Sequence, residues 1–231
     1  MAMRSLALFL AVTGFLFSPL LLTAQNPPAG DPFVAVVIKV AQPVLIQRAD
    51  ADEEAPLHRD ARLYPGDRIV CGDGGRASLI FSDSAVELKL LPHTELVLQG
   101  RRTNGGVVKR LFLQIGRLLT EVVRGDMEVV TPTSVASVKG TRWWTTVETS
   151  ARTIIVVLEG NVQLQNRTSG QVEIVSAGST AVSTATGEIE IAPTKDSDLP
   201  EDSSDNEQGS LDIEFEDGSG ESKTLHIEFN R

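Results

Sequence analysis

The sequence is poor in the residues that disulfides and metal centres require. It has one cysteine and three histidines among 231 residues. A single cysteine excludes an internal disulfide and a cysteine-based zinc site. His58, His93 and His226 lie far apart, and His93-Thr94-Glu95 has no further histidines nearby to complete a cupin-like metal site. We therefore expect no metal ion and no other cofactor.

The common catalytic signatures are also missing. The chain has no G-x-S-x-G elbow, no Walker-type loop, no G-x-G-x-x-G before a helix and no H-E-x-x-H. Gly72-Asp73-Gly74-Gly75 indicates a turn between strands, because no helical pattern follows it to present a phosphate site. We predict that the protein is not an enzyme.

Basic residues are outnumbered, with 21 Lys and Arg against 31 Asp and Glu, for a net charge of −10. Phosphate binding requires a basic surface, so we expect no nucleic-acid partner. Residues 193–231 hold 12 acidic and 3 basic residues, which leaves 19 acidic and 18 basic residues in the rest of the chain. The acidity therefore belongs to a C-terminal segment rather than to the body.

Long apolar runs are confined to the start of the chain. Arg4 precedes an apolar stretch over residues 5–22, which ends in Leu22-Thr23-Ala24. This pattern is typical of a secretory signal peptide. We expect residues 1–24 to be the signal peptide and residues 25–33 a linker, with a periplasmic or secreted mature chain that has no stable membrane span. The alternative is an uncleaved anchor, because the run is at the short limit for crossing about 30 Å of hydrocarbon.

Export makes Cys71 unusual, since an unpaired thiol in an oxidising compartment tends to pair, react or be buried. Cys71 stands just before a predicted turn. The sequence leaves two interpretations open: a small, partly buried residue, or a reactive or intermolecular thiol.

What the chain does contain is many short segments rich in Val, Ile, Leu and Thr, separated by turn signals such as Pro65-Gly66-Asp67. No helix of ten or more residues is indicated after Leu22. We therefore predict an all-β domain over residues 34–192, built as a sandwich, barrel or β-solenoid. The predicted strands are 34–40, 43–47, 68–70, 77–81, 85–90, 95–98, 107–115, 117–123, 127–130, 142–149, 153–158, 161–165, 171–175 and 179–184.

Two adjacent tryptophans should lie on opposite faces of one strand. Side chains alternate along a strand, so Trp143 is grouped with Thr145 and predicted to face the core, whereas Trp144 shares a polar face with Arg142. Trp144 is either an exposed aromatic that stacks on a ligand, sugar or partner, or a locally packed residue covered by a loop.

The acidic C-terminal segment divides into two parts. Residues 193–210 hold too little apolar surface to order themselves and predict a flexible linker. Residues 211–231 predict a β-hairpin, because apolar positions alternate with acidic ones on either side of Asp217-Gly218-Ser219-Gly220. The apolar positions are Leu211, Ile213, Phe215, Leu225, Ile227 and Phe229. An isolated hairpin is marginal in water, so we expect it to dock either on the body or on another protein.

The body resembles a FecR domain. The segments that carry the resemblance are 63–72, 75–83, 86–88, 91–96, 116–118, 130–143, 157–162 and 177–178. The most specific are Thr131-Pro132-Thr133, Val138-Lys139-Gly140-Thr141-Arg142-Trp143 and Leu158-Glu159-Gly160-Asn161-Val162. We interpret the motif positions as structural, through tight turns and close backbone approach. They are Gly66, Asp67, Gly72, Gly75, Thr131, Pro132, Gly140, Thr141, Trp143, Gly160 and Gly178.

The resemblance implies an all-β, solenoid-like periplasmic module without enzymatic residues. In the best-understood FecR-type regulators, a cytoplasmic anti-sigma region and a transmembrane helix precede a β-domain that contacts an outer-membrane receptor. Here a signal-peptide pattern stands in place of the anti-sigma region, and an acidic linker and hairpin replace the receptor-contacting part. We therefore expect a stand-alone exported FecR-domain protein.

The leading hypothesis is a non-enzymatic protein-interaction or signalling module of the cell envelope. The alternatives are a periplasmic regulator subunit of a sigma/anti-sigma system and a carbohydrate- or cell-wall-binding domain that uses Trp144. The candidate interaction residues are Arg142, Trp144 and the six apolar hairpin positions named above.

Overall fold

The computed structural model describes residues 33–83, 85–103, 106–200, 209–216 and 222–229, with backbone alone for residue 102 and for the last two segments. The predicted signal peptide, residues 25–32 and residues 201–208 lie outside these ranges. Within them, no helix is long and apolar enough to cross a bilayer.

The described chain is built almost entirely of strands. In the first half they are β1 (Ala35–Ala41), β2 (Val44–Gln47), β3 (Glu54–Pro56), β4 (Arg62–Leu63), β5 (Arg68–Cys71), β6 (Arg76–Phe81), β7 (Val86–Leu90), β8 (Glu95–Leu98), β9 (Arg101–Thr103) and β10 (Gly106–Val122). In the second half they are β11 (Asp126–Val130), β12 (Ser134–Lys139), β13 (Arg142–Val147), β14 (Thr153–Glu159), β15 (Asn161–Asn166), β16 (Val172–Ser176), β17 (Ser179–Ser183), β18 (Ile189–Pro193), β19 (Gly209–Glu216) and β20 (Ser222–Phe229). A one-turn 3-10 helix spans Asp196–Asp198.

Two ladders of hydrogen-bonded strands form the body, and they share one strand. The first runs in the order β4-β1-β6-β7-β10-β13-β14-β17-β18. The second runs in the order β3-β2-β5-β8-β10-β11-β12-β15-β16. From β11 onward the chain lays two strands in one ladder and then two in the other, which gives the body its solenoid-like winding.

A single apolar core fills the space between the ladders. Leu79 and Trp143 from the first ladder join Ile69 and Leu164 from the second in one cluster of side chains, each with 0% exposure. The inward positions alternate with half-buried or exposed ones, as a strand covered on one face requires. The all-β, sandwich-like and solenoid-like fold predicted from the sequence is therefore confirmed.

The shared strand β10 bends from one ladder into the other at Gly116. Its first half pairs with β8 and β11, and its second half pairs with β7 and β13. Gly116 has a φ of +102°, and a Cβ there would lie 2.4 Å from the Cα of Thr94. The Thr94 hydroxyl accepts a hydrogen bond at 3.0 Å from the backbone N of Arg117, the residue that follows Gly116. A glycine is needed at this position because the strand turns against a neighbouring backbone.

Several strand predictions need correction. The predicted strands 107–115 and 117–123 form one strand, because Gly116 bends the chain without breaking the ladder. The prediction omitted β3, β4, β9, β12 and β18. Three of these have two or three residues, too few to show a pattern.

The predicted linker begins later than expected. Residues 193–200 belong to the body, because β18 extends to Pro193 and the 3-10 helix follows it. The Asp198 carboxylate accepts hydrogen bonds from Lys195 N at 3.0 Å and from the Thr180 hydroxyl at 2.9 Å. These bonds hold the pKa of Asp198 below its usual range. The carboxylate of Asp198 therefore caps the turn of this segment and joins the segment to the body.

Candidate interaction surface

The first motif turn is organised by the buried carboxylate of Asp67, which is 1% exposed. Its Oδ2 accepts a hydrogen bond from Tyr64 N at 2.8 Å and pairs with the Arg48 guanidinium at 2.6 Å. The neighbouring Gly66 has a φ of +91°, and a Cβ there would meet Ala49 at 2.6 Å. Asp67 and Gly66 therefore fix the turn between β4 and β5.

The next motif glycines make room for the backbone of Pro43. Gly72 N donates to the Pro43 carbonyl at 2.9 Å. A Cβ on Gly75 would lie 2.0 Å from that carbonyl oxygen. No side chain fits at Gly75, and the turn brings β5 and β6 close to the start of β2.

The Thr-Pro-Thr segment forms a buried hydroxyl cluster rather than an exposed site. The Oγ1 atom of Thr153 lies 2.8 Å from that of Thr131 and 2.7 Å from that of Thr133. Thr131 also accepts from Ser134 N at 2.9 Å. Pro132 stands at the corner between β11 and β12, and these hydroxyls hold that corner in place.

The second motif turn packs against the first residues of β13. Thr141 donates its hydroxyl hydrogen to the Asn161 carbonyl at 2.9 Å. A Cβ on Gly160 would lie 2.7 Å from the Gly140 carbonyl oxygen. Gly178, with a φ of +79° and open space around it, serves only the reversal between β16 and β17. These residues therefore serve turns and close contacts between strands.

The two tryptophans occupy different packed clusters. Trp143 is fully buried between the ladders, and its Nε1 donates to the Thr145 hydroxyl at 2.9 Å. Trp144 points to the outer face of the first ladder, where its cross-strand neighbours are Leu119 and Val156. It is 5% exposed and belongs to a small second cluster with these residues and Leu91.

The interpretation of Trp144 as an exposed aromatic is therefore wrong. Its strand is paired on both sides, and apolar neighbours on the same outer face cover the ring. Arg142, also on that face, has its Nε 3.7 Å from the Glu121 carboxylate, a surface ion pair of small energetic value. The carbohydrate-binding hypothesis required an exposed Trp144, so we do not carry it further.

Cys71 is a core residue. It ends β5, is 2% exposed and lies in the main apolar cluster. Burial away from water disfavours the thiolate and raises the pKa of the Cys71 thiol to about 12. The structure therefore supports the packing interpretation over the reactive thiol.

We expect the Cys71 thiol to resist Ellman's reagent at pH 8 in the folded chain and to react fully in denaturant, because the thiolate is the nucleophile. The ordinary pKa of a cysteine thiol is 9.0. Between about pH 9 and about pH 12 the unfolded thiol ionises while the folded one does not, so unfolding releases a proton. This group therefore lowers the free energy of unfolding as the pH rises through that window. Equal labelling rates in the native and denatured chains would contradict the assignment.

Four strands lie at the ladder ends, and three of them are poor templates for further pairing. Strand β4 has two residues, and β3 has three residues that include Pro56. Strand β18 carries Glu190 and ends in Pro193, which has no N–H to donate. Short length, charge and proline are the usual protections of an edge.

The fourth edge, β16, has five residues and no proline, and Glu173 is its one charged residue. Its sequence is Val-Glu-Ile-Val-Ser, and the side chains of Val172 and Ile174 are 46% and 58% exposed. Asn166 N bonds to Gln171 O, and Ala177 N bonds to Gly160 O. Hydrogen bonding alternates along an antiparallel pair. The N–H and C=O groups of Val172, Ile174 and Ser176 therefore point away from β15 and toward the open side.

The predicted C-terminal hairpin is present as a pair of antiparallel strands. Strands β19 and β20 form a sheet of their own. The register sets Leu211 opposite Ile227 and Ile213 opposite Leu225. Directly opposed positions lie on the same face of an antiparallel pair, so the register gathers the apolar positions on one face.

The chain was compared with known protein families. The family described as FecR protein matches residues 67–163, from the Asp67 turn to β15. The resemblance inferred from the sequence motifs is confirmed over this segment. The matched segment includes the β10 crossing, the threonine corner and the Gly160 turn, whose geometry is described above.

Solved structures of similar shape include two of a candidate anti-sigma factor from Parabacteroides distasonis ATCC 8503. Both are 16% identical to this chain, with a TM-score of 0.45. One match covers 66% of this chain and 70% of the solved chain, and the other covers 63% and 66%. No curated protein matches the sequence.

Proposed function

We propose that the protein is an exported, non-enzymatic interaction module of the cell envelope, which binds a protein partner by adding a strand at β16. The open edge carries this proposal: it offers three outward-facing backbone positions and two exposed apolar side chains. Main-chain hydrogen bonds supply affinity in such complexes, and alternate side chains supply specificity. The FecR match over residues 67–163 supports a regulatory, protein-binding role.

The remaining surface supports binding more than catalysis. Within the described ranges, no group of three or more His, Cys, Asp or Glu side chains could hold a metal ion. The motif residues are engaged in turns and corners, as Asp67 and Thr131 illustrate. The signal-peptide pattern of residues 1–24 supports export.

Site-specific photo-crosslinking in cells tests the proposal. A photoreactive residue at position 174 is expected to capture one specific envelope protein, and the same residue at position 123 is expected to capture none. Val123 is a matched control because it is 74% exposed and follows β10, which is separated from β16 by three strands in the second ladder. Capture of the same proteins from both positions, or of none from position 174, would overturn the proposal.

The affinity of the captured partner gives a second measurement. Ile174→Lys is expected to weaken binding at least about tenfold, since a lysine on an edge strand opposes pairing. Val123→Lys, which introduces the same charge elsewhere on the surface, is expected to leave the affinity unchanged.

A more specific role, as the periplasmic subunit of a sigma/anti-sigma system, is favoured by the FecR match. In that case the captured partner would be a membrane-spanning regulator, and Ile174→Lys would alter transcription of its target genes. Unchanged transcription in a strain that lacks the protein would exclude this role while leaving the binding function intact.

A further inference from the structure

We infer that the β16 edge has an occupant within the same chain: the C-terminal hairpin, β19 and β20, adds to β16 and closes that end of the body. The hairpin would then compete with any external strand for the edge.

Exposed apolar side chains are concentrated at the end where the last strands lie. Val172 and Ile174 are on β16, Ile191 is on β18 and is 43% exposed, and Leu199 follows the 3-10 helix and is 39% exposed. Ile191 is paired with the core residue Ala181, so it points toward the interior at the uncovered end of the sandwich. Stacked β architectures need a cap at such an end.

The chain leaves the described body at the same end. Residues 197–200 line a groove of about 860 Å³ on the outer face of the first ladder, together with Gly116, Thr146 and Val182. Strands β16 and β17 are joined by a two-residue turn. The eight residues 201–208 can span at most about 26–29 Å, more than the roughly 10 Å between packed sheets. Thr194 N donates to Gly178 O in the turn between β16 and β17 at 2.9 Å, so the chain passes beside β16 shortly before the linker, and the linker is longer than the separation of the two ladders.

The hairpin needs the kind of partner that the edge provides. Two strands alone are marginal in water, and three or more are needed for independent stability. The register collects Leu211, Ile213, Leu225 and Ile227 on one face, which suits an uncovered core end. A short tether gives an effective concentration on the order of millimolar, which favours the chain's own hairpin over a second copy.

Amide hydrogen exchange on the full mature chain tests the inference. In the native sequence, the amides of Val172, Ile174 and Ser176 are expected to exchange at least about tenfold more slowly than in Ile213→Lys, which places a charge on the apolar face of the hairpin. Glu214→Lys is the matched control, one position along the same strand on the other face. It is expected to leave these amides protected.

The amides of Glu173 and Val175 point toward β15 and report that the body stays folded in each variant. Equally fast exchange of Val172, Ile174 and Ser176 in the native chain and in Ile213→Lys would overturn the inference. Protection that grows with protein concentration would also overturn it, because a second copy would then supply the strand. No partner is present in this experiment, so its failure would leave the binding proposal untouched.

Discussion

Replacing Gly116 with alanine is expected to lower the free energy of unfolding by at least about 3 kcal/mol, or to prevent folding. The added Cβ would lie 2.4 Å from the Cα of Thr94 and 2.6 Å from the His93 carbonyl oxygen. Neither atom is the mobile end of a side chain, so a strand must shift. Both ladders pass through this crossing, and a shift disturbs the pairing on either side. Urea denaturation followed by circular dichroism measures the loss.

Gly170→Ala is the matched control for backbone strain. Gly170 has a φ of +75°, but a Cβ there would meet no atom within 4 Å. We expect a loss of about 1 kcal/mol, which is the cost of placing alanine in the left-handed region. Similar losses at positions 116 and 170 would show that strain alone, and not the crossing of strands, explains the requirement for Gly116.

The second large effect is expected for Trp143→Ala, with a loss of about 3–5 kcal/mol in the free energy of unfolding. The side chain is enclosed by both ladders at 0% exposure, so its removal leaves a cavity that the sandwich cannot easily close. The Thr145 hydroxyl also loses the donor that stands 2.9 Å away. The remaining tryptophan provides a fluorescence signal for the measurement.

Trp144→Ala provides the comparison within the same strand. Its cluster lies on the outer face of the first ladder, where water can reach the space left by the ring. We therefore expect a smaller loss than for Trp143→Ala. An equal or larger loss would mean that the outer cluster contributes as much to stability as the main core does.

The alternation of apolar and polar residues predicted most of the strands, because nearly every strand packs one face against the same core. Strand β8 has the predicted bounds, and most others differ by one or two residues. The main failure was β12, whose buried positions are Ser134, Ala136 and Val138, so that only one of the three is a large apolar residue. A strand with so few large apolar residues on its buried face is hard to recognise from hydrophobicity.

The candidate surface was less predictable than the fold. Alternation correctly placed Trp143 and Trp144 on opposite faces, but it could not show that the outer face carries a second apolar cluster. The open edge at β16 depends on the order of strands across a ladder, which a local pattern does not contain. Motif glycines such as Gly66, Gly75 and Gly160 lie in turns or close to a neighbouring backbone, because a glycine signature reports backbone geometry directly.

The sharing of β10 has a consequence for how the chain acquires its structure. The strands before β10 and those after it each form an incomplete pair of layers, and in the described ladders no strand of one set is hydrogen-bonded to a strand of the other except through β10. The first half therefore has no native edge partner until β10 has been synthesised. From β11 onward each pair of strands adds to the pair already laid down, as in a linear repeat. We expect growth in one direction from a central seed, with unfolding that starts at the free ends and reaches β10 last.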